Sequence, residues 1–203
     1  MTIYNILPVM PTGGTIIEIG AHNGSDTERL SNLLKPDNFY VFEPDPRNFK
    51  QIEKRDLPVF VIGAAVSNKN GKANLWMSGG KPPGRDHEHT ASSSILNPAG
   101  HIKKHPNYNF DNQMEVDTVT LDKFMSPHTG DIQFIWCDAQ GSEANIIEGA
   151  QETLARTNFF FCEYSNEELY DGQKKLEEWM RLLPGRWEEV CKWDGDILLK
   201  RIK

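Results

Sequence analysis

Thr15-Ile-Ile-Glu-Ile-Gly-Ala-His-Asn-Gly-Ser25 decides how the rest of the chain is read. Thr15 to Ile19 is a β-branched apolar run, too short for a helix and bounded by glycines, which suits a buried parallel strand. Glu18 sits just before that strand ends. Gly20 and Gly24 follow, and Ser25-Asp26-Thr27 then opens an apolar-periodic segment (Leu30, Leu33, Leu34) that predicts a capped helix. A strand, a glycine turn and a helix start together make a seat for a nucleotide-like cofactor. Backbone N–H groups and the positive helix end face outward there, and glycine lets a ligand touch the main chain.

Working outward, residues 1–14 hold a short apolar segment stopped by Pro8 and Pro11, which predicts one helical turn beside the sheet. The helix after Gly24 is expected to end near Leu34, before Lys35-Pro36. Phe39–Phe42 predicts a second buried strand, residues 46–55 a helix with Phe49 and Ile52 inward, and Pro58–Ile62 a third strand. Asn70-Gly71, a dipeptide favoured in tight hairpins, joins Gly63–Val66 to a strand over Lys72–Met77. Residues 78–112 lose periodicity and carry four of the six histidines with Ser92-Ser93-Ser94, so this long irregular stretch is either functional or mobile. Strands are expected at Glu115–Leu121, Asp131–Cys137 and Asn158–Cys162. Helices are expected at Asp122–Met125, Ser142–Ala150 and Gly172–Leu183. Trp187–Trp193 and Asp196–Ile202, joined by Asp194-Gly195, predict a closing antiparallel hairpin. The order indicates an α/β fold with a doubly wound, mostly parallel seven-stranded sheet. No repeat or linker divides residues 1–203, which read as one domain.

Composition narrows the class. The chain has 203 residues, enough to bury a sizeable core, and a net charge of −7 argues against a general nucleic-acid surface. Cys137, Cys162 and Cys191 are odd in number without CxxC spacing, which fits a reduced, cytoplasmic setting. No apolar run approaches the length of a membrane span, and no export signal is visible.

In a doubly wound sheet, ligands bind at the carboxyl ends of the strands. Glu18, Glu43, Asp138 and Glu163 lie at or near those ends. The plain alternative is that each caps a helix or pairs with a lysine. Four carboxylates at one rim, each costly to bury alone, point instead to a shared ligand. Glu43 comes 19 residues after Gly24, and an acid about 20 residues beyond a glycine turn is placed to accept hydrogen bonds from ribose hydroxyls. Dehydrogenases and methyltransferases share that feature. The turn Gly20-Ala-His-Asn-Gly24 lacks the middle glycine of a dinucleotide fingerprint, which disfavours nicotinamide chemistry.

The acidic-x-G-x-x-x-G turn resembles that of class I S-adenosylmethionine-dependent methyltransferases. A longer series of motifs, in order along the chain, is similar to the FkbM family of methyltransferases. They are Glu18–Gly24, Val41-Phe-Glu-Pro-Asp-Pro46, Ala65-Val-Ser67 with Gly71, Ser92-Ser-Ser94, Val116–Asp122, Asp138-Ala-Gln-Gly-Ser-Glu143, Gly149-Ala150, Leu169–Gln173 and Gly195–Leu198. Two positions depart from the family: His22 stands where asparagine is common, and Trp136 where lysine is frequent.

The resemblance implies S-adenosylmethionine as cofactor, with Glu18 before the turn and Gly20, Ala21, His22, Asn23 and Gly24 around its methionine part. Glu43 would hold the ribose, Pro44, Ala64 and Ala65 would flank the adenine, and Asp138 would face the amino group or the reacting centre. The implied reaction is O-methylation of a hydroxyl on a sugar, glycan or similar small molecule. Methyl transfer from a sulfonium needs in-line positioning and removal of the acceptor proton. Asp138, Glu163 and the loop histidines His87 and His89 are the candidate bases, each histidine having an ordinary surface residue as its alternative. Asp138 and Glu163, with Asn166 nearby, could instead hold a divalent cation in a metal-dependent enzyme of the same fold, although no separate metal site is expected. A non-catalytic S-adenosylmethionine-binding module is the other rival. Ser92–Ser94 is the candidate lid, and Trp76 and Tyr108 are candidates to stack on a sugar.

Overall fold

The computed structural model describes residues 3–81, 84 and 86–202. A short helix, α1 (Ile3–Ile6), and a 3-10 turn lead into β1 (Thr15–Ile19), α2 (Ser25–Leu34), β2 (Asn38–Phe42), α3 (Pro46–Glu53) and β3 (Phe60–Ile62). Next come β4 (Ala65–Val66), β5 (Gly71–Gly79), α4 (Ala99–Lys104), β6 (Asn109–Val119) and α5 (Leu121–Met125). The last part holds β7 (Ile132–Cys137), α6 (Glu143–Glu148), α7 (Gln151–Leu154), β8 (Thr157–Glu163), α8 (Leu176–Met180), β9 (Arg186–Lys192) and β10 (Asp196–Ile202).

Seven strands form one sheet in the order β3-β2-β1-β7-β8-β10-β9. The first five run parallel, and β10 is antiparallel to both its neighbours. The chain therefore winds from β1 outward to β3, then returns to β7 on the other side of β1. That reversal opens a crevice at the carboxyl ends of β1 and β7.

Strand alternation sends successive side chains to opposite faces, and both faces are covered. Ile17, Ile19, Phe42, Ile135 and Phe160 pack with Ile146, Ile147 and Trp179 of α6 and α8. Ile16, Phe39, Val41 and Phe134 pack with Ile3, Leu30, Leu34 and Ile52 of α1, α2 and α3. Among the described residues no helix is long and apolar enough to cross a membrane.

The sequence reading needs correction at five places. A second sheet, β4-β6-β5, was not expected. Asn70-Gly71 makes no direct hairpin, because β6 lies between β4 and β5; the Asn70 side chain instead exchanges hydrogen bonds with Thr120. The stretch 78–112 contains the end of β5, α4 and the first part of β6. The helix expected over 172–183 is only Leu176–Met180, since the Gln173 side chain accepts the N–H groups of Leu169 and Tyr170 and shapes a turn there. Finally, α2 is preceded by Gly24 in the left-handed region, with no side-chain cap from Ser25.

Candidate active site

The turn after β1 is clamped between its two neighbouring strands. Gly20 and Ala21 donate to the Phe42 carbonyl at 2.9 and 3.2 Å, and Asp138 N donates to the Ile19 carbonyl at 2.9 Å. Gly20 has φ +83°, and a Cβ there would sit 1.7 Å from the Asp138 carbonyl oxygen. The glycine is thus required by backbone packed on backbone, where the sequence alone suggested an open approach for a ligand. His22 follows with φ +50°.

Glu43, directly after β2, closes over this turn. Its Oε2 accepts the His22 N–H at 2.7 Å and its Oε1 the Asp45 N–H at 2.8 Å. Burial pushes its carboxyl up to about 8, and the two N–H bonds partly offset that shift. A carboxylate offers about four lone-pair sites, so acceptor capacity remains beyond these two N–H bonds and the nearby Asn48 side chain.

A cavity of about 260 Å³ lies over the carboxyl ends of β1, β2, β3 and β7. Of the residues expected around a cofactor, Gly20, Ala21, His22, Asn23, Glu43, Pro44, Ala64, Ala65 and Asp138 line it. Gly24 and Glu18 do not. Gly24 lies under Ile52 and Arg55. Glu18 points to the α2 face of the sheet, as alternation from Ile16 requires, and is sealed off from solvent. Its two oxygens have no hydrogen-bond partner. Burial raises its carboxyl to about 8, with the Thr27 hydroxyl the main opposing influence.

The expected catalytic residues separate. Asp138 lines the cavity; Glu163, His87 and His89 do not. Glu163 stands behind Asp138 through the Gln140 amide, which donates to Asp138 Oδ1 at 2.8 Å and Glu163 Oε2 at 2.9 Å. Burial and the adjacent Asp138 hold the Glu163 carboxyl well above its ordinary range. A cation between these carboxylates would have to displace the Gln140 amide. Asn166 lines a different depression, with Tyr164 and Gly195, and among the described residues no three carboxylates, histidines or cysteines converge on a metal geometry. His87 is exposed, and His89 bonds Ser92 Oγ at 2.8 Å.

The Ser92–Ser94 run is a pinned strap. Ser94 exchanges backbone bonds with Trp76, and its hydroxyl donates to the Gln140 carbonyl at 2.8 Å. Ser93 donates to Asp45 Oδ2 at 3.0 Å. Thr90 donates to Asn48 Oδ1 and shares a 2.9 Å bond with His22 Nε2. His22 thus ties the strap to the turn, and its partly buried ring is held below its ordinary pKa by desolvation. Trp76 and Tyr108 stay outside the cavity lining; Tyr108 packs on His89 with ring centroids 4.3 Å apart.

Sequence reasoning missed several supporting groups. Gln140 was visible in the Asp138–Glu143 motif without a role. Glu143, which accepts the N–H groups of Ala139 and Gly141 and so shapes that loop, likewise gave no sign beyond its motif. Tyr170 donates to Gln140 Oε1 and to the Ser92 carbonyl, both at 3.0 Å, a contact between segments 78 residues apart. Asn48 and Arg29 had no assigned role in the sequence, and Asp26 figured only in the start of the helix after Gly24; Asp26 and Arg29 line the cavity wall together.

Methyltransferases are among the solved structures that share this architecture. The chain is similar to the FkbM methyltransferase of Methylobacillus flagellatus KT (TM-score 0.57, 14% identity), covering 91% of this chain and 43% of that one. It also resembles an rRNA methylase of Streptococcus thermophilus (TM-score 0.52, 11% identity; 99% of this chain, 95% of that one). At these identities the likeness speaks for the fold, which is that of class I methyltransferases. The profile of the Methyltransferase FkbM domain matches residues 18–191, and the chain belongs to that family of S-adenosylmethionine-dependent enzymes. It is 35% identical over 196 residues to the 2-O-methyltransferase NoeI of Sinorhizobium fredii (strain NBRC 101917 / NGR234), covering 93% of this chain and 79% of that protein.

Proposed function

We propose that this enzyme moves a methyl group from S-adenosylmethionine, seated in the cavity over β1, β2 and β7, to a hydroxyl of a sugar, glycan or similar small molecule. The observation that carries the reading is Glu43: a buried carboxylate facing the cavity beside a glycine turn, held by the His22 and Asp45 N–H groups and with acceptor capacity to spare. Two ribose hydroxyls would complete its hydrogen bonding. Ala64 and Ala65 offer a small apolar wall for a flat base. The donor supplies an electrophilic methyl on a cationic sulfur, and an acidic cavity complements that charge.

The chain's own work is orientation and proton removal. The strap, through Thr90, Ser93 and Ser94, closes one wall and limits water. Asp138 has one oxygen fixed by Gln140 and is the lining carboxylate placed to take the acceptor proton or to hold the donor's ammonium group. Oxygen as the acceptor atom is supported by the relative named as a 2-O-methyltransferase, and the sugar class by the family resemblance. Residues 1–203 are read as one methyltransferase domain, because Leu75 of the second sheet shares the cavity wall with the main sheet. The test is calorimetric titration with S-adenosylhomocysteine, followed by labelled-methyl transfer to a panel of oligosaccharides. Micromolar binding and an alkali-stable O-methyl product are expected. Donor binding with no transfer to any hydroxyl would favour a binding module instead.

A further inference from the structure

The charge pattern of the cavity wall leaves one group of the donor unaccounted for. Among the described lining residues, Asp26, Glu43 and Asp138 are carboxylates, and Arg29 is the one lysine or arginine. A sulfonium and an α-ammonium suit such a wall. An α-carboxylate on the same ligand is opposed by all of these charges except Arg29.

Arg29 is built to stay where it is. Its Nη1 donates to Asp26 Oδ1 at 3.1 Å, and its guanidinium carbon stands 4.8 Å from the ring centroid of Tyr4. The Tyr4 hydroxyl donates to the same Asp26 oxygen, so α1 and α2 hold the guanidinium together. The planar fork has five N–H donors. One is used on Asp26, and the side chain is 57% exposed, so donors remain open. The place also fits. Glu43 follows β2 on one side of β1, while Tyr4 leans on Trp136 of β7, on the other side, with centroids 6.2 Å apart. Arg29 therefore marks the end of the cavity opposite the ribose position.

We infer that Arg29, steadied by Asp26 and Tyr4, seats the α-carboxylate at the amino-acid end of the donor. The inference rests on the donor reading above and adds a ligand contact to it. The test compares S-adenosylmethionine with decarboxylated S-adenosylmethionine, which differ only in that carboxylate, by calorimetry on the full chain and on Arg29→Met and Arg29→Lys. Arg29→Met is expected to weaken S-adenosylmethionine about tenfold and the decarboxylated analogue less than about twofold, with Arg29→Lys between. Equal losses for both ligands would overturn the inference, because Arg29 would then act through the shape of the wall. No loss for either would overturn it as well. Failure of the wild-type chain to bind either ligand would refute the donor reading itself, a result distinct from binding that ignores Arg29.

Discussion

Glu43→Gln separates the two jobs assigned to Glu43. The wild-type carboxylate accepts the His22 and Asp45 N–H groups, one on each oxygen. A glutamine amide can accept one of them and turns its NH2 toward the other. An unpaired buried N–H costs about 1–3 kcal/mol of stability, which in a chain of this size lowers Tm by about 2–4 °C per kcal/mol. The donor loses charge-assisted bonds from its ribose hydroxyls, about 1.5–3 kcal/mol, so Kd should rise about 10- to 150-fold. The size of that penalty depends on pH. Burial raises the Glu43 carboxyl to about 8, and hydroxyl donors favour its ionised form. Donor affinity should therefore climb as pH rises toward about 8, level off above it, and be accompanied by proton release below it. Titration with S-adenosylhomocysteine at pH 6 and pH 9, in two buffers of different ionisation enthalpy, reads all of this. The Gln variant should show its full penalty at pH 9 and a smaller one at pH 6. A variant that loses stability yet binds within twofold of wild type at pH 9 would refute the ribose assignment.

Gly20→Ala should cost more than about 3 kcal/mol, because the new Cβ meets the Asp138 carbonyl at 1.7 Å on a backbone with φ +83°; an unchanged urea midpoint would disprove the clamp. Glu18 is raised from 4.5 to about 8 by burial, so its neutral form is the one the fold favours. Its stabilising contribution is complete below about pH 4.5 and declines as pH rises through 8, at up to about 1.4 kcal/mol per pH unit. Glu18→Gln should flatten that part of the stability–pH curve, and parallel curves for wild type and variant would sink the argument. Asp138→Asn keeps an oxygen for Gln140 and should fold normally. If Asp138 is the base, turnover should drop about 100-fold or more with little change in donor affinity, whereas the reverse pattern would make it a donor ligand.

The seven-stranded sheet was legible because its signals are local. The five parallel strands are apolar runs bounded by turn residues, and the Asp194-Gly195 turn announced the closing hairpin. Asn70-Gly71 misled for a physical reason. A favourable turn dipeptide says nothing about which strand will lie alongside, and β6, from beyond residue 108, took the position between β4 and β5. The glycine turn and Glu43 could be found because a fixed spacing carries their chemistry. Glu18 shows the limit of that approach: its motif position was clear, yet one step of strand alternation turned it under α2 and away from the cavity. The network from Asp138 through Gln140 to Glu163 and Tyr170 depends on side-chain reach between distant segments. Ser92–Ser94 read as mobile because it lacks periodicity, whereas its order comes from hydroxyl bonds to Asp45, Ser78 and Gln140. Single polar bonds of that kind leave no repeating pattern in a sequence.

The central claim is that the cavity over β1, β2 and β7 holds the methyl donor. A crystal structure of the full chain with S-adenosylhomocysteine tests it most directly. The account predicts ribose hydroxyls on the Glu43 carboxylate, the base against Ala64 and Ala65, and the sulfur on the Asp138 side of the Gly20–Gly24 turn. Density for the nucleoside elsewhere on the chain, or a ribose that makes no contact with Glu43, would contradict it.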